Sequence, residues 1–349
     1  MFHLFSSSDR LHDGSAWRNC AASHRQSQAV TVASIAQRGF VANTDWDWYR
    51  YLLTRAQRPD EVNFWRPSGT TAFHAVEAGS PFFFRLKRPH DAIGGFGIFK
   101  SFVRLPVWLA WQSFGDLNGA PNFETMAARL EHYRRRFSDH PEPHSGDFEI
   151  GCIIISQPTF FSEDEWVNEP AGWQPNIVSG KGLGVLDGEG QRLLAECLER
   201  AQLHSHSDEL LVAVEAARRG KPVHVEPRLG QGTFRLAVIS AYDRACAVTH
   251  EHSLPVLEAA PIRPFGQGGA HDARNGILLR SDVHRLFDLG YVTVTPDFMF
   301  KVSSSLMDDY HNGREYDRYH GATVSVPTAL ALQPSRELLD WHGQSVYRG

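Results

Sequence analysis

The residues whose types and spacing could do chemistry are concentrated between Cys246 and Pro296. His284 and Asp288 stand four apart in a stretch, 283–289, that reads as a short helix, so imidazole and carboxylate share one face. Such a pair can complete the shell of a divalent cation, or the carboxylate can orient the imidazole. Residues 256–262 (VLEAAPI) read as a short strand, and a glycine-containing loop follows them. Asn275-Gly276 marks a turn, and Ser281-Asp282 reads as a helix N-cap with an acidic first turn. Gly290 ends the helix, and 291–295 alternates as a strand. A lone His284 would be a structural histidine and a lone Asn275-Gly276 only a turn. Joined in the order strand, loop, helix, strand, they are poorly explained by chance.

The run ARNGILLRSDVHRLFDLGY, with RLGQGTFR and AYDRACAVT before it, resembles the ββα-metal fold of HNH nucleases, in particular the bacterial restriction-type subset. The resemblance implies metal-dependent phosphodiester hydrolysis, in which a base deprotonates water and a divalent cation neutralises charge on the phosphate and leaving oxygen. It implies that His284 binds the metal, that Asn275 fixes the loop and orients the base or metal shell, and that Asp288 completes or supports that shell. Mg2+ or Mn2+ is the expected ion, with Zn2+ or Ni2+ as further options. In that family the strand reads E-A-A-H-I, whereas here Glu258-Ala259-Ala260-Pro261-Ile262 stands. Pro261 therefore occupies the general-base position. It cannot take a proton and removes a backbone donor from the strand. Loss of a general base costs about 100- to 10,000-fold in rate. Either cleavage is impaired, or another histidine serves, His271 in the loop being the first candidate ahead of His250 and His252. In a regular strand Glu258 faces away from position 261, which gives it a structural part, paired with an arginine such as Arg263 or Arg280.

Upstream, the texture is that of a second folded unit. Residues 45–53 mix aromatics and charges at helical spacing, and 81–89 (PFFFRLKRP) reads as a buried strand closed by proline. The glycine-rich apolar run 93–99 suggests close backbone approach or the tight curvature of a small β-barrel. Residues 122–137 form a basic-ended helix, and 148–161 a β-branched strand terminated by a proline. FFFRLKRPHDAIGGFGIF, LPVWLAWQSFGDLNGA and CIIISQPTFF resemble the N-terminal domain joined to HNH modules in bacterial restriction endonucleases, which is similar to the PUA-like group that includes EVE and SRA readers. The resemblance implies a barrel with a pocket for a flipped, modified base, such as methylated or hydroxymethylated cytosine. Stacking and edge recognition need aromatic and polar groups together. Trp65 and Trp111 are the preferred stacking pair, with Phe64 and Trp108 beside them and Asn63 and Asp116 as hydrogen-bonding partners. Ser68 could add a hydrogen bond, and Arg66, Lys87, Arg88 and Arg104 could hold phosphates.

Composition bounds these readings. A chain of 349 residues suggests about two domains. With 42% hydrophobic and 21% charged residues it is globular rather than disordered. A net charge of −5 excludes a uniformly basic DNA-coating protein but not a local basic groove. Four scattered cysteines without a C-x-x-C pair exclude a zinc knuckle and fit a reducing cytoplasm. No apolar run reaches the roughly 20 residues that span a bilayer. The expected fold class is α+β. It comprises a poorly ordered extension at 1–39, a PUA-like β-barrel reader at 40–184, a helical linker at 185–230 with stretches at 191–203 and 208–219, and a ββα-metal HNH domain at 231–349. The expected function is a modification-dependent DNA restriction endonuclease acting on double-stranded DNA, without a membrane and pairing as a homodimer to cut both strands. The alternative is a non-cleaving nucleic-acid-binding protein that kept the HNH scaffold.

Overall fold

The computed structural model describes residues 38–69, 72–135, 148–203, 230–310 and 314–349. The expected extension at 1–39 lies outside these residues except for its last two, and the stretch at 208–219 lies outside them altogether.

The first half is built on one curved sheet. Its strands are β1 (Arg38–Thr44), β2 (Glu61–Arg66), β3 (Pro81–Leu86), β4 (Ala92–Pro106), β5 (Glu149–Phe160), β6 (Val167–Asn168) and β7 (Gly180–Gly184). They lie in the order β2-β5-β4-β3-β1-β7, with β6 added to β4, and β1 runs parallel to β3. The run Phe82-Phe83-Phe84 shows why β3 is apolar on both faces. Phe82 and Phe84 enter one core with Trp48, Leu52 and Ile153, while Phe83 enters a second with Val41, Ile93 and Phe161. A side-chain period of two distributes one aromatic run between two layers.

Helices α1 (Trp46–Leu53), α2 (Val107–Phe114) and α3 (Phe123–Arg135) pack into the first core. The α1 start is capped as its sequence demands, with the Asp45 carboxylate accepting from the Trp48 amide at 2.8 Å. On the other face, α4 (Gly188–Leu203) buries Leu193, Cys197, Leu198 and Ala201 against Phe83 and Phe96. Its apolar stripe is thus spent on the sheet rather than on bridging two bodies. We propose that the first folded unit runs on through α4 instead of ending at 184.

Two expectations need correction. Among the described residues the sheet is an open path ending at β2 and β7, not a closed barrel. The glycines of 93–99 answer to close approach: a Cβ on Gly95 would lie 2.2 Å from the Thr159 carbonyl oxygen. Nor does proline terminate β5, which continues past Pro158 to Phe160. The register between β4 and β5 shifts at this point, with Gln157 at φ 49°, and such a bulge accommodates the missing donor.

The second half begins with α5 (Gln231–Ala241). A hairpin of β8 (Leu257–Pro261) and β9 (Gly276–Arg280) follows, then α6 (Ser281–Asp288), the pair β10 (Val292–Val294) and β11 (Phe300–Val302), α7 (Ser305–Tyr310), α8 (Arg314–Asp317) and α9 (Arg336–Ser345). The class is α+β. Strand β9 was hidden in the sequence because all of its first four residues are buried, so it shows no alternation. Arg280, not Ser281, is the N-cap of α6, and the Asp282 carboxylate takes the Arg280 guanidinium through two bonds of 2.7 Å. Gly290 closes α6 at φ 77°, with the Tyr291 amide donating to the Leu286 carbonyl at 2.9 Å.

Candidate active site

Strands β8 and β9 pair antiparallel from Leu257↔Arg280 to Pro261↔Gly276, and α6 leaves directly from the end of β9. This hairpin and helix bring Glu258, His284 and Asp288 together. The Glu258 Oε2 lies 2.5 Å from His284 Nδ1, and the Asp288 Oδ2 lies 3.4 Å from His284 Nε2. The imidazole is largely covered, at 17% exposure, while both carboxylates are more than two-fifths exposed. Burial by itself would lower the His284 pKa, but the hydrogen bonds and charges of Asp288 and Glu258 outweigh it and the net shift is upward. Glu258 is therefore no bystander, and its partner is His284 rather than Arg263 or Arg280. Arg280 is engaged by Asp282, and Arg263 donates to the Gln267 carbonyl and lies over the Trp341 ring. Sequence reasoning missed Glu258 because strand alternation told only that it opposed position 261. It could not tell that α6 folds back over that face.

Asn275 is buried and fully engaged. Its amide donates to the Arg263 and Ala270 carbonyls, both at 2.9 Å, and its carbonyl oxygen accepts from the Arg263 amide at 2.9 Å. The Ile262 amide donates to the Asn275 backbone carbonyl at 2.8 Å. One side chain thus ties both ends of the loop between the strands. Pro261 sits at the mouth of that loop, half-buried, opposite Gly276. His271 lies in the loop with its ring edge-on to Phe265, centroids 3.8 Å apart.

A metal would find a coherent donor set here. Nε2 of His284 and the Asp288 carboxylate lie on one side of the ring, while Glu258 accepts from Nδ1 on the other. That is how a carboxylate fixes the tautomer of a ligating histidine. Among the described residues no group of three His, Cys, Asp or Glu side chains is spaced to hold an ion. An ion held by His284 and Asp288 would have further positions open to water and a phosphate oxygen.

The second concavity lies in the first half. A cavity of about 910 Å³ opens between β1 and β2, closed by α3 and by the loop after β2. Of the residues expected to stack or read a base, it gathers Phe64 and Trp65, together with Ser68, Arg66 and Lys87. It does not gather Asn63, Trp108, Trp111 or Asp116. Asn63 is fully buried and donates to Asn118 at 2.8 Å. Asp116 is paired with Arg55, and Trp108 and Trp111 lie on α2 against the main core. The cavity instead enlists Phe40, Asn43, Asp45, Phe73 and Tyr133, which the sequence did not single out. The Tyr133 hydroxyl donates to Asp45 at 2.5 Å, and burial together with that carboxylate raises its pKa well above the ordinary tyrosine value.

Residues 246–295 match the family model described as HNH endonuclease, so the chain carries an HNH endonuclease domain, the mark of a phosphodiester hydrolase. Such nucleases generally use a divalent metal ion. Among curated proteins none matches significantly. Several solved structures are similar at low identity, among them the following two. ASCH from Zymomonas mobilis is 14% identical, covering 45% of this chain and 94% of its own, with a TM-score of 0.28. A protein described as modification dependent TagI restriction endonuclease is 12% identical, covering 93% of this chain and 90% of its own, with a TM-score of 0.27. At such TM-scores neither likeness bears on fold or activity. Among the described residues no helix is long and apolar enough to cross a membrane.

Proposed function

We propose that this chain is a modification-dependent DNA endonuclease whose hydrolytic step is impaired at Pro261. Its HNH unit would grip one divalent cation with His284 and Asp288, and its first unit would receive a methylated or hydroxymethylated cytosine in the cavity between β1 and β2. The observation that carries the nuclease part is the joint geometry of Asn275 and His284. One pins the loop at both ends, and the other stands between two carboxylates, one on each ring nitrogen.

The bound cation would neutralise the charge that develops on the phosphate and leaving oxygen. The chain's own residues do the rest. Glu258 holds the Nδ1 proton of His284 and so turns Nε2 toward Asp288. Asn275 fixes the loop that leads out of β8. Pro261 leaves the water without a proton acceptor at that place. Phe64 and Trp65 offer the walls against which a flipped base stacks, and Arg66 and Lys87 lie where its phosphates would pass. Double-stranded DNA with such a base is the proposed partner, and a homodimer would serve the cutting of both strands.

Nicking of hydroxymethylcytosine-containing and plain duplexes with Mg2+ or Mn2+ tests this reading. The Pro261→His variant should cut modified DNA about 100- to 10,000-fold faster than the chain as it stands. No cleavage by that variant on any modified duplex would sink the nuclease reading. Efficient cleavage by the unaltered chain would sink the account of Pro261 and make His271→Ala the next variant. Pro261 also favours a second reading, a nucleic-acid-binding protein that keeps the HNH scaffold without cutting. It predicts salt-dependent DNA affinity with no product in either form.

A further inference from the structure

Helix α5 is held from both sides by residues distant in sequence. Its first amides have no partner within the helix. The Glu61 carboxylate, from β2, accepts from the Thr233 amide at 2.9 Å and from the Thr233 hydroxyl. Glu61 is 1% exposed, and the approach is so close that a Cβ on Gly230 would lie 2.2 Å from its carboxyl carbon. A carboxylate at a helix N-terminus is also favoured by the helix dipole. Two residues later, Arg235 donates to the Gln112 side chain on α2 at 3.1 Å and to the Leu257 carbonyl on β8 at 3.0 Å. On the far side, Phe234 meets the loop residue Phe265 edge-on at 5.2 Å, and a Cβ on Gly276 would lie 2.4 Å from Val238.

Strand β2 therefore has two ends with two tasks. Phe64, Trp65 and Arg66 line the cavity, while Glu61 caps α5. At strand rise Glu61 lies only about 10–17 Å from these three residues. Arg235 then carries the connection to Leu257, the residue next to Glu258.

We propose that α5, capped by Glu61 and braced by Arg235, welds the cavity unit and the HNH unit into one cooperative body, so that occupation of the cavity is felt at the catalytic hairpin. Arg235 is a positioning residue for β8. The weld itself is independent of the proposed chemistry, and only its use in signalling rests on the cavity being a base reader.

Urea-dependent hydrogen exchange of the full chain, read by mass spectrometry on the peptides of β5 and β9, tests the weld. In the unaltered protein the most protected amides of both peptides should open with one urea dependence. In Glu61→Ala the openings should separate by roughly tenfold or more. Should that variant fail to fold, Gln112→Ala, which removes only the first unit's hold on Arg235, should separate them in the same sense. Independent opening in the unaltered chain, or joint opening in both variants, overturns the proposal. A duplex carrying 5-hydroxymethylcytosine serves as the probe of signalling. It should slow exchange in β2 and in β9 of the unaltered chain by roughly fivefold or more, and in β2 alone of Glu61→Ala. Slowing in β2 that never reaches β9 overturns the signalling. Slowing nowhere removes the base-reader reading and the signalling with it, while the urea series decides the weld.

Discussion

The hairpin-and-helix corner of the HNH unit and the cavity of the first unit are both concave and both mix polar with covered groups, yet they are assembled in opposite ways. The corner draws Glu258, Asn275, His284 and Asp288 from one short stretch, and each is placed by local elements. The cavity draws Phe40, Asn43, Phe64, Lys87, Tyr133 and Ser179 from strands, a helix and loops scattered over more than a hundred residues. A site made by local geometry leaves a motif. A site made by packing leaves only composition.

If the corner depends on its local clamp, Asn275→Ala should have the largest effect. It removes three part-buried bonds to the Arg263 and Ala270 backbone, each worth about 0.5–1.5 kcal/mol because the freed groups can reach water. A loss of about 2–4 kcal/mol in stability is expected from chemical denaturation. Unchanged stability would mean that the loop is held by other means.

The corner also has a pH-dependent support. His342 on α9 is buried, stacked on Phe287 with ring centroids 3.7 Å apart. It donates from Nε2 to the Phe287 carbonyl at 3.1 Å and accepts at Nδ1 from the Thr293 hydroxyl at 2.9 Å, which is the neutral tautomer. Burial pushes its pKa down to about 4, against the weaker upward pull of the Phe287 carbonyl. An unfolded histidine titrates near 6.5, so between these values the unfolded chain binds the extra proton. The contribution is complete above about pH 6.5 and is lost as pH falls toward 4, on the order of 3 kcal/mol in all. Melting of the chain and of His342→Gln across that window checks it. The same slope in both would remove His342 as its cause.

These two regions also show what the sequence could disclose. The i, i+4 pairing of His284 and Asp288 and the Gly290 stop follow from helix geometry, and the structure has them, whereas Asn275 closes a 3-10 helix and Gly276 opens β9 in extended conformation rather than forming a turn. Glu258 escaped, because its partner depends on the angle at which α6 returns over β8. In the first unit the strand β3 was legible from its aromatic run, but the closure of the sheet was not, since edge pairing is decided by tertiary contacts. Trp111 and Trp65 look alike in sequence, each beside polar residues. Only packing separates the one on α2 from the one on the cavity wall.

A smaller effect separates ligand from orienting partner within the corner. His284→Ala should lose Mn2+ affinity, measured calorimetrically, beyond the 10- to 100-fold typical of losing an outer partner, and Glu258→Gln should fall within that range. Equal losses in the two variants would make Glu258 a ligand in its own right.

The smallest effect sharpens the contrast between the regions themselves. If bases stack in the cavity, Phe64→Ala should weaken binding of a hydroxymethylcytosine duplex by about 1–3 kcal/mol, or roughly 5- to 150-fold. Trp111→Ala, outside the cavity, should leave that affinity within about twofold while lowering stability through its packing on the core. The two aromatics are thus predicted to respond in opposite columns of one experiment, affinity for one and stability for the other. Should Trp111→Ala abolish binding with the fold intact by circular dichroism, the reader surface lies on α2, beside α5, and the cavity serves another ligand.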